Sequence, residues 1–261
     1  MEAIEVLATV LCIVAVSGYV CAGILFLKDS RRYAAAAAII GWLANLGIFV
    51  KNWYINGYPP FASMYQVLSV LSLVFLVLLL VLVKQDKAQI WLTPYFCFGA
   101  ALPLLGTLFM DRQMRWSLVP ALQSVWFVPH VFSYMLSYAL CTVAFLISLL
   151  PLVKKGDTLQ CKSGIYSVLR FAYPFMTLGL LLGAVWADQV WGGYWNWDIK
   201  EVWALITSIL YACYFHIRRI KTMEKYSVIF SWLAFAALIV TFFCVNLFPN
   251  NAGSLHTYTL Q

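Results

Sequence analysis

An all-α, polytopic membrane helix bundle is the fold class this sequence predicts, and three observations predict it. Of its 261 residues, 64% are hydrophobic and only 10% are charged, a balance that a soluble globule of this size cannot cover with polar surface. Apolar runs of eighteen or more residues recur along the whole chain, each able as helix to cross about 30 Å of hydrocarbon. Basic residues gather at alternate ends of those runs, as orientation in a bilayer requires.

About eight transmembrane helices follow in order. The first is 4–27; the stretch from Met1 to Val6 where it begins carries Glu2 and Glu5 and no Lys or Arg, so it reads as a span and not as a cleavable leader. The second, 34–52, ends at "NGYPPF", where Asn-Gly and Tyr-Pro-Pro cannot continue a helix. Spans three and four, 64–83 and 89–109, lead to the polar interruption "DRQMRWSLVPAL". Span five is 128–153 and span six is 166–187. The latter ends at "WGG", whose glycines let the chain turn. Span seven is 202–217. Asp198 can serve as its N-cap, with Glu201 three residues later closing a capping box. Span eight, 228–248, precedes the tail "FPNNAGSLHTYTLQ". With no composition break or repeat, residues 1–261 read as a single membrane domain.

Thirteen Lys and Arg lie in the loops after spans one, three, five and seven. Only Lys51, Arg112, Arg115 and Lys200 lie on the opposite side. That asymmetry predicts both termini and the loop near 186–203 on the outer, periplasmic or equivalent, face. It also accounts for the net charge of +7 without a nucleic-acid partner. The seven cysteines form no CxxC pair and read as small buried hydrophobes, not as a redox or zinc centre.

The irregular outer segments carry the chemistry. Five of the eleven tryptophans sit between 186 and 203, in "DQVWGGYWNWDIKEVWALI" and just before it. An interfacial aromatic belt is the ordinary explanation, and it suits scattered residues such as Trp53, Trp91 and Trp116. It suits less well a cluster in which Trp191, Tyr194, Trp195, Trp197 and Trp203 surround Asp198 and Lys200. A flat, apolar ligand with an anionic edge, such as a porphyrin, matches that surface. For Lys200, a snorkelling role and an anion-pairing role stand even.

Only three histidines occur. His130, in "WFVPHVFSY", and His256, in "GSLHTY", fall on the predicted outer face and flank the tryptophan loop. Two imidazoles converging on one platform are what six-coordinate haem iron takes, although each alone is more often a structural hydrogen-bonded residue. His216, in "YACYFHIRR", lies roughly 20 Å of helix below the outer loop and cannot share a haem with that pair. It is either interfacial, beside Arg218 and Arg219, or a ligand whose mate comes from elsewhere.

The stretch "WGGYWNWDIKEVWALITSILYACYFHIRR" resembles the WWD signature of haem-handling membrane proteins, most closely the CcsA/ResC family of cytochrome c biogenesis. Similarity extends to "GYPPFASMYQVL", "VPALQSVWFVPHVFSYMLSYAL" and "VNLFPNNAGSLHTYTL", and so to nearly the full length. Departures fall at Gln66, Asp188, Ile199 and Ser208. The resemblance implies that His130 and His256 ligate the iron of a non-covalent haem b at an outer site. It implies that His216 belongs to an inner site completed by a CcsB/ResB-type membrane partner. Trp191, Tyr194, Trp195, Trp197, Asp198 and Trp203 would line the outer site, with Arg112, Arg115 and Lys200 as propionate partners. The implied activity is haem export and presentation to the CxxCH segment of apocytochrome c, as part of a synthase in a bacterial inner or thylakoid-type membrane. The alternatives are CcmC-like delivery to a haem chaperone, a b-type electron-transfer cytochrome, and a haem-free bundle with a heavy aromatic belt. Eight spans argue against the first, and surface histidines against the second.

Overall fold

The structure, a computed structural model, describes residues 2–110, 118–153 and 158–243. Among the described residues every regular element is helical. The order is α1 (Glu2–Leu27), α2 (Arg31–Asn56), α3 (Met64–Gln85), α4 (Thr93–Thr107), α5 (Phe127–Ser148), the single turn α6 (Leu150–Val153), α7 (Thr158–Trp191), α8 (Ile199–Arg219) and α9 (Ser227–Phe242). Short 3₁₀ turns precede α4, α5 and α9. Seven of the long helical segments are long and apolar enough to cross a membrane, and the chain is an integral membrane protein. The eighth, α8, is long enough but less apolar, because Lys200, Glu201, Arg218 and Arg219 stand at its ends.

The helices match the hydropathy reading except where local chemistry intervenes. Span four opens as a 3₁₀ turn, Lys87–Leu92, because Asp86 caps it by accepting from the Ala88 amide. The α-helix proper then begins beside Pro94, whose missing N–H costs nothing in a first turn. Span five runs Phe127–Leu152 but is broken after Ser148, where Leu149 tightens to an i−3 bond onto Leu146 and Pro151 cannot extend the ladder. α7 runs 34 residues, roughly 51 Å, and starts eight residues before the predicted 166. Helix continues there through the polar turns around Lys162. The predicted end of span eight at 248 lies outside the described residues.

Two compact units divide the chain: Met1–Gln123 with Met135–Val168, and Ser124–Tyr134 with Leu169–Gln261. In the first, α1 and α2 approach through small residues. A Cβ on Gly18 would lie 2.8 Å from the Gly41 Cα and 2.9 Å from the Ala37 carbonyl oxygen. Ala15, Ala22, Ala34 and Ala38 are buried on either side. With lipid outside, such close backbone contact replaces the hydrophobic effect as the force holding helices together. The Trp42 indole N–H donates to the Leu73 carbonyl, and the Ser72 hydroxyl to that of Ala100, so polar side chains fasten α2 to α3 and α3 to α4. In the second unit α8 packs on α9, where the Thr207 and Thr241 hydroxyls meet at 3.3 Å. The rings of Tyr173 and Phe215 join α7 to α8 at 5.5 Å.

The glycine contact sets an expectation. Gly18→Leu must push backbone from backbone and should destabilise the protein by about 1–3 kcal/mol or more, seen as a lower thermal-aggregation temperature in detergent. Gly47→Ala, whose Cβ would meet only Leu11 methyls at 3.4 and 3.6 Å, should be near neutral. Equal temperatures for the two variants would contradict the small-residue packing.

Candidate functional site

His130 stands in the first turns of α5 and lies over a groove on α7 formed by Gly179 and Gly183. A Cβ at Gly183 would come within 2.6 Å of the imidazole Cε1 and 2.7 Å of Nδ1. One at Gly179 would come within 3.0 Å of the Tyr134 ring. The pair His130/Tyr134, four apart on α5, therefore fits a pair four apart on α7 that has no side chains. His130 Nδ1 lies 2.8 Å from the Gly179 carbonyl oxygen. A carbonyl only accepts, so Nδ1 carries the proton, and in the neutral ring the lone pair sits on Nε2.

Aromatic rings wall this imidazole. Trp186, buried at 2% exposure, stacks on it at 5.6 Å between centroids and 16° between planes. Tyr134 meets it edge-on at 5.2 Å. Trp186 in turn contacts Phe127 at 5.7 Å and Trp191 at 4.8 Å. The Ser124 hydroxyl donates to the Gln189 amide oxygen and pins the segment before α5 to the end of α7.

α7 ends at Gly192, whose left-handed φ of 75° lets its amide close on the Asp188 carbonyl at 2.9 Å. The chain re-enters helix at Asp198. The capping box expected from the sequence is present in both directions, with the Asp198 carboxylate accepting from the Lys200 amide. Between these points Trp197 has a φ of 55°, a left-handed conformation that costs a bulky residue about 1–3 kcal/mol. Glu201 brackets it. One carboxylate oxygen accepts from the amides of Asn196 at 2.8 Å and Asp198 at 3.2 Å, on either side of the strained residue. Trp197 stands 72% exposed and Tyr194 61%. Trp195 and Trp197 pair edge-to-face at 5.9 Å.

Lys200 is half-buried in the first turn of α8, ahead of the apolar segment. Burial lowers its pKa from the ordinary value, and the Asp198 carboxylate partly opposes that shift. Trp203 lies one turn further, its carbonyl accepting from Thr207. His216 is exposed in the last turn of α8, beside Arg218 and Arg219, roughly 27 Å of helix from Asp198. His256, Arg112, Arg115 and Trp116 lie outside the described residues. The structure thus gathers His130 and Trp191 around Trp186, pairs Trp195 with Trp197, and holds His216 apart.

Residues 33–251 match the family described as cytochrome C assembly protein. The chain belongs to that family. It is 30% identical to the cytochrome c biogenesis protein CcsA of Trieres chinensis over 89% of both chains. It is 33% identical to that of Chlamydomonas reinhardtii over 90% of this chain and 72% of the relative. With the CcsA of Manihot esculenta it shares 31% identity over 82% of each. The cytochrome c assembly membership gives this chain a role in cytochrome c biogenesis.

Gly179, Gly183, Tyr134 and Trp186 complete the His130 environment in this cytochrome c assembly protein; sequence reasoning counted Trp186 in the tryptophan cluster but selected none of the other three. A signal existed: "GLLLG" at 179–183 is a G-x-x-x-G pattern in an apolar span. For the loop, Glu201→Ala removes the acceptor shared by two amides, and losing such a cap costs about 1 kcal/mol. Hydrogen exchange at Asn196 and Asp198 should accelerate several-fold, and less in Glu201→Gln, which keeps an acceptor. Unchanged exchange in Glu201→Ala would show that the carboxylate does not hold the loop.

Proposed function

We propose that the chain receives haem b as cargo and presents it on the outer face of its membrane for covalent attachment to the CxxCH segment of apocytochrome c. It works there with a CcsB/ResB-type membrane partner, in a bacterial inner or thylakoid-type membrane. Both termini and the 186–203 loop face outward, and the 261 residues act as one functional membrane domain. The observation that supports this function best is the His130 imidazole, whose Nδ1 donates to the Gly179 carbonyl, so that Nε2 is the nitrogen that carries no proton in the neutral ring. Such an orientation is what a haem-binding histidine needs. Membership of a cytochrome c assembly family and the aromatic environment support the same conclusion.

His130 and His256 would hold the iron of the outer haem. Trp191, Tyr194, Trp195, Trp197, Asp198 and Trp203 shape the surface on which the macrocycle rests. Asp198 acts by fixing the loop, because its carboxylate is engaged by the α8 N-terminus. Lys200, Arg112 and Arg115 offer positive charge to the propionates. The exposed indole of Trp197 and phenol of Tyr194 give a flat ligand apolar area to bury against. In the attachment step each CxxCH thiol adds across one vinyl group, forming one C–S and one C–H bond with no net oxidation. The protein contributes by holding the two partners in reacting geometry. His216 serves an inner site whose second ligand comes from the partner, from which the outer site is loaded.

Alanine at His130 or His256 should abolish cytochrome c maturation while the protein still accumulates in the membrane. His216→Ala should leave the outer site intact but poorly loaded, giving less haem per chain in the purified complex. Normal maturation in either outer mutant would overturn the ligand pair, and normal loading in His216→Ala would remove the inner site.

A further inference from the structure

We infer that Gly183, with the Gly179 carbonyl and the Trp186 indole, forms a positioning device on α7 that sets how strongly His130 binds haem iron and at what reduction potential. The inference rests on the proposed role of His130 as an iron ligand. Three constraints act on one imidazole. The Gly179 carbonyl takes the Nδ1 proton at 2.8 Å, and no side-chain substitution elsewhere can supply that oxygen. The Trp186 ring lies within 16° of parallel to the imidazole and fixes its plane. Gly183 supplies the space, since any Cβ there would sit 2.6 Å from Cε1 and 2.7 Å from Nδ1. The ring cannot yield toward Tyr134, which already meets it edge-on at 5.2 Å. Moving it outward lengthens the bond to Gly179.

A hydrogen bond from the distal ring nitrogen to a carbonyl fixes the tautomer of a ligating histidine and makes the metal-bound nitrogen more basic. A more basic ligand favours ferric over ferrous iron, so this contact holds the reduction potential of bound haem down. Breaking such outer contacts typically weakens metal binding about 10- to 100-fold. α7 therefore does more than pack: it aims and polarises the ligand.

The test uses the full chain purified with its CcsB/ResB-type partner and titrated with hemin, comparing Gly183→Ala, Trp186→Leu and Gly164→Ala. The last is the packing control. Its Cβ would lie 2.5 Å from Trp91 Cζ2, an equal steric insult on the same helix but far from His130. Gly183→Ala should bind haem about 10- to 100-fold more weakly, with a midpoint potential moved upward, and Gly164→Ala should match wild type in both. Trp186→Leu overpacks nothing and should also shift the midpoint upward, so it decides the matter if Gly183→Ala fails to accumulate. Wild-type affinity and midpoint in Gly183→Ala, or in Trp186→Leu where only that variant can be purified, would overturn the positioning role. Equal changes in Gly164→Ala would reduce Gly183 to general packing. A wild-type haem spectrum in His130→Ala would instead remove the ligand assignment itself.

Discussion

The bond from His130 Nδ1 to the Gly179 carbonyl is the constraint on which the proposed haem site of this molecule depends. It requires a side chain of α5 to reach the backbone of α7, and only a helix face without side chains permits that approach. Gly179 and Gly183 provide the face. In lipid no hydrophobic force draws two apolar helices together, so dispersion at close range and hydrogen bonds to backbone must suffice. Here one imidazole uses both. The same contact that closes the helix pair also decides which nitrogen carries the lone pair, so packing and chemistry are fixed by one interaction.

The tryptophan loop follows a second economy. Its strained residue, Trp197, is held left-handed between two amides that share one oxygen of Glu201. Asp198 begins α8 in the same motif. Two carboxylates in a tryptophan-rich loop invite a catalytic interpretation, but their partners are backbone N–H groups of the loop and helix start. Their work is to keep exposed indole and phenol surfaces in place. Exposed aromatic area held rigidly loses little entropy when a flat ligand covers it, which suits the haem-presenting role proposed for this loop.

Much of this was legible in the sequence because it is local. Hydropathy located α3 and α8 to within a few residues, and the Asp198/Glu201 spacing announced the capping box. The rarity of histidine singled out His130. The errors came where local pattern and structure part. α7 begins before residue 166 because helix continues past the apolar segment into the turns around Lys162. The span predicted at 128–153 does run from Phe127 to Leu152; hydropathy showed its extent but not the tightened turn ahead of Pro151 that divides it into α5 and α6. Gly179 and Gly183 were missed for a different reason. A glycine in an apolar span has no polarity to notice, and its meaning comes from the residue that a neighbouring helix lays over it. That information is not in the segment itself.

Nitrogen hyperfine spectroscopy of ferric, haem-loaded complex prepared with ¹⁵N-labelled histidine tests the central claim most directly, because it reports the atoms bound to iron. Strong coupling to histidine nitrogen, with one contribution lost in His130→Ala, is the expected result. Iron that shows no histidine coupling, or a spectrum indifferent to residue 130, would contradict a haem held through Nε2 of the imidazole on the glycine groove.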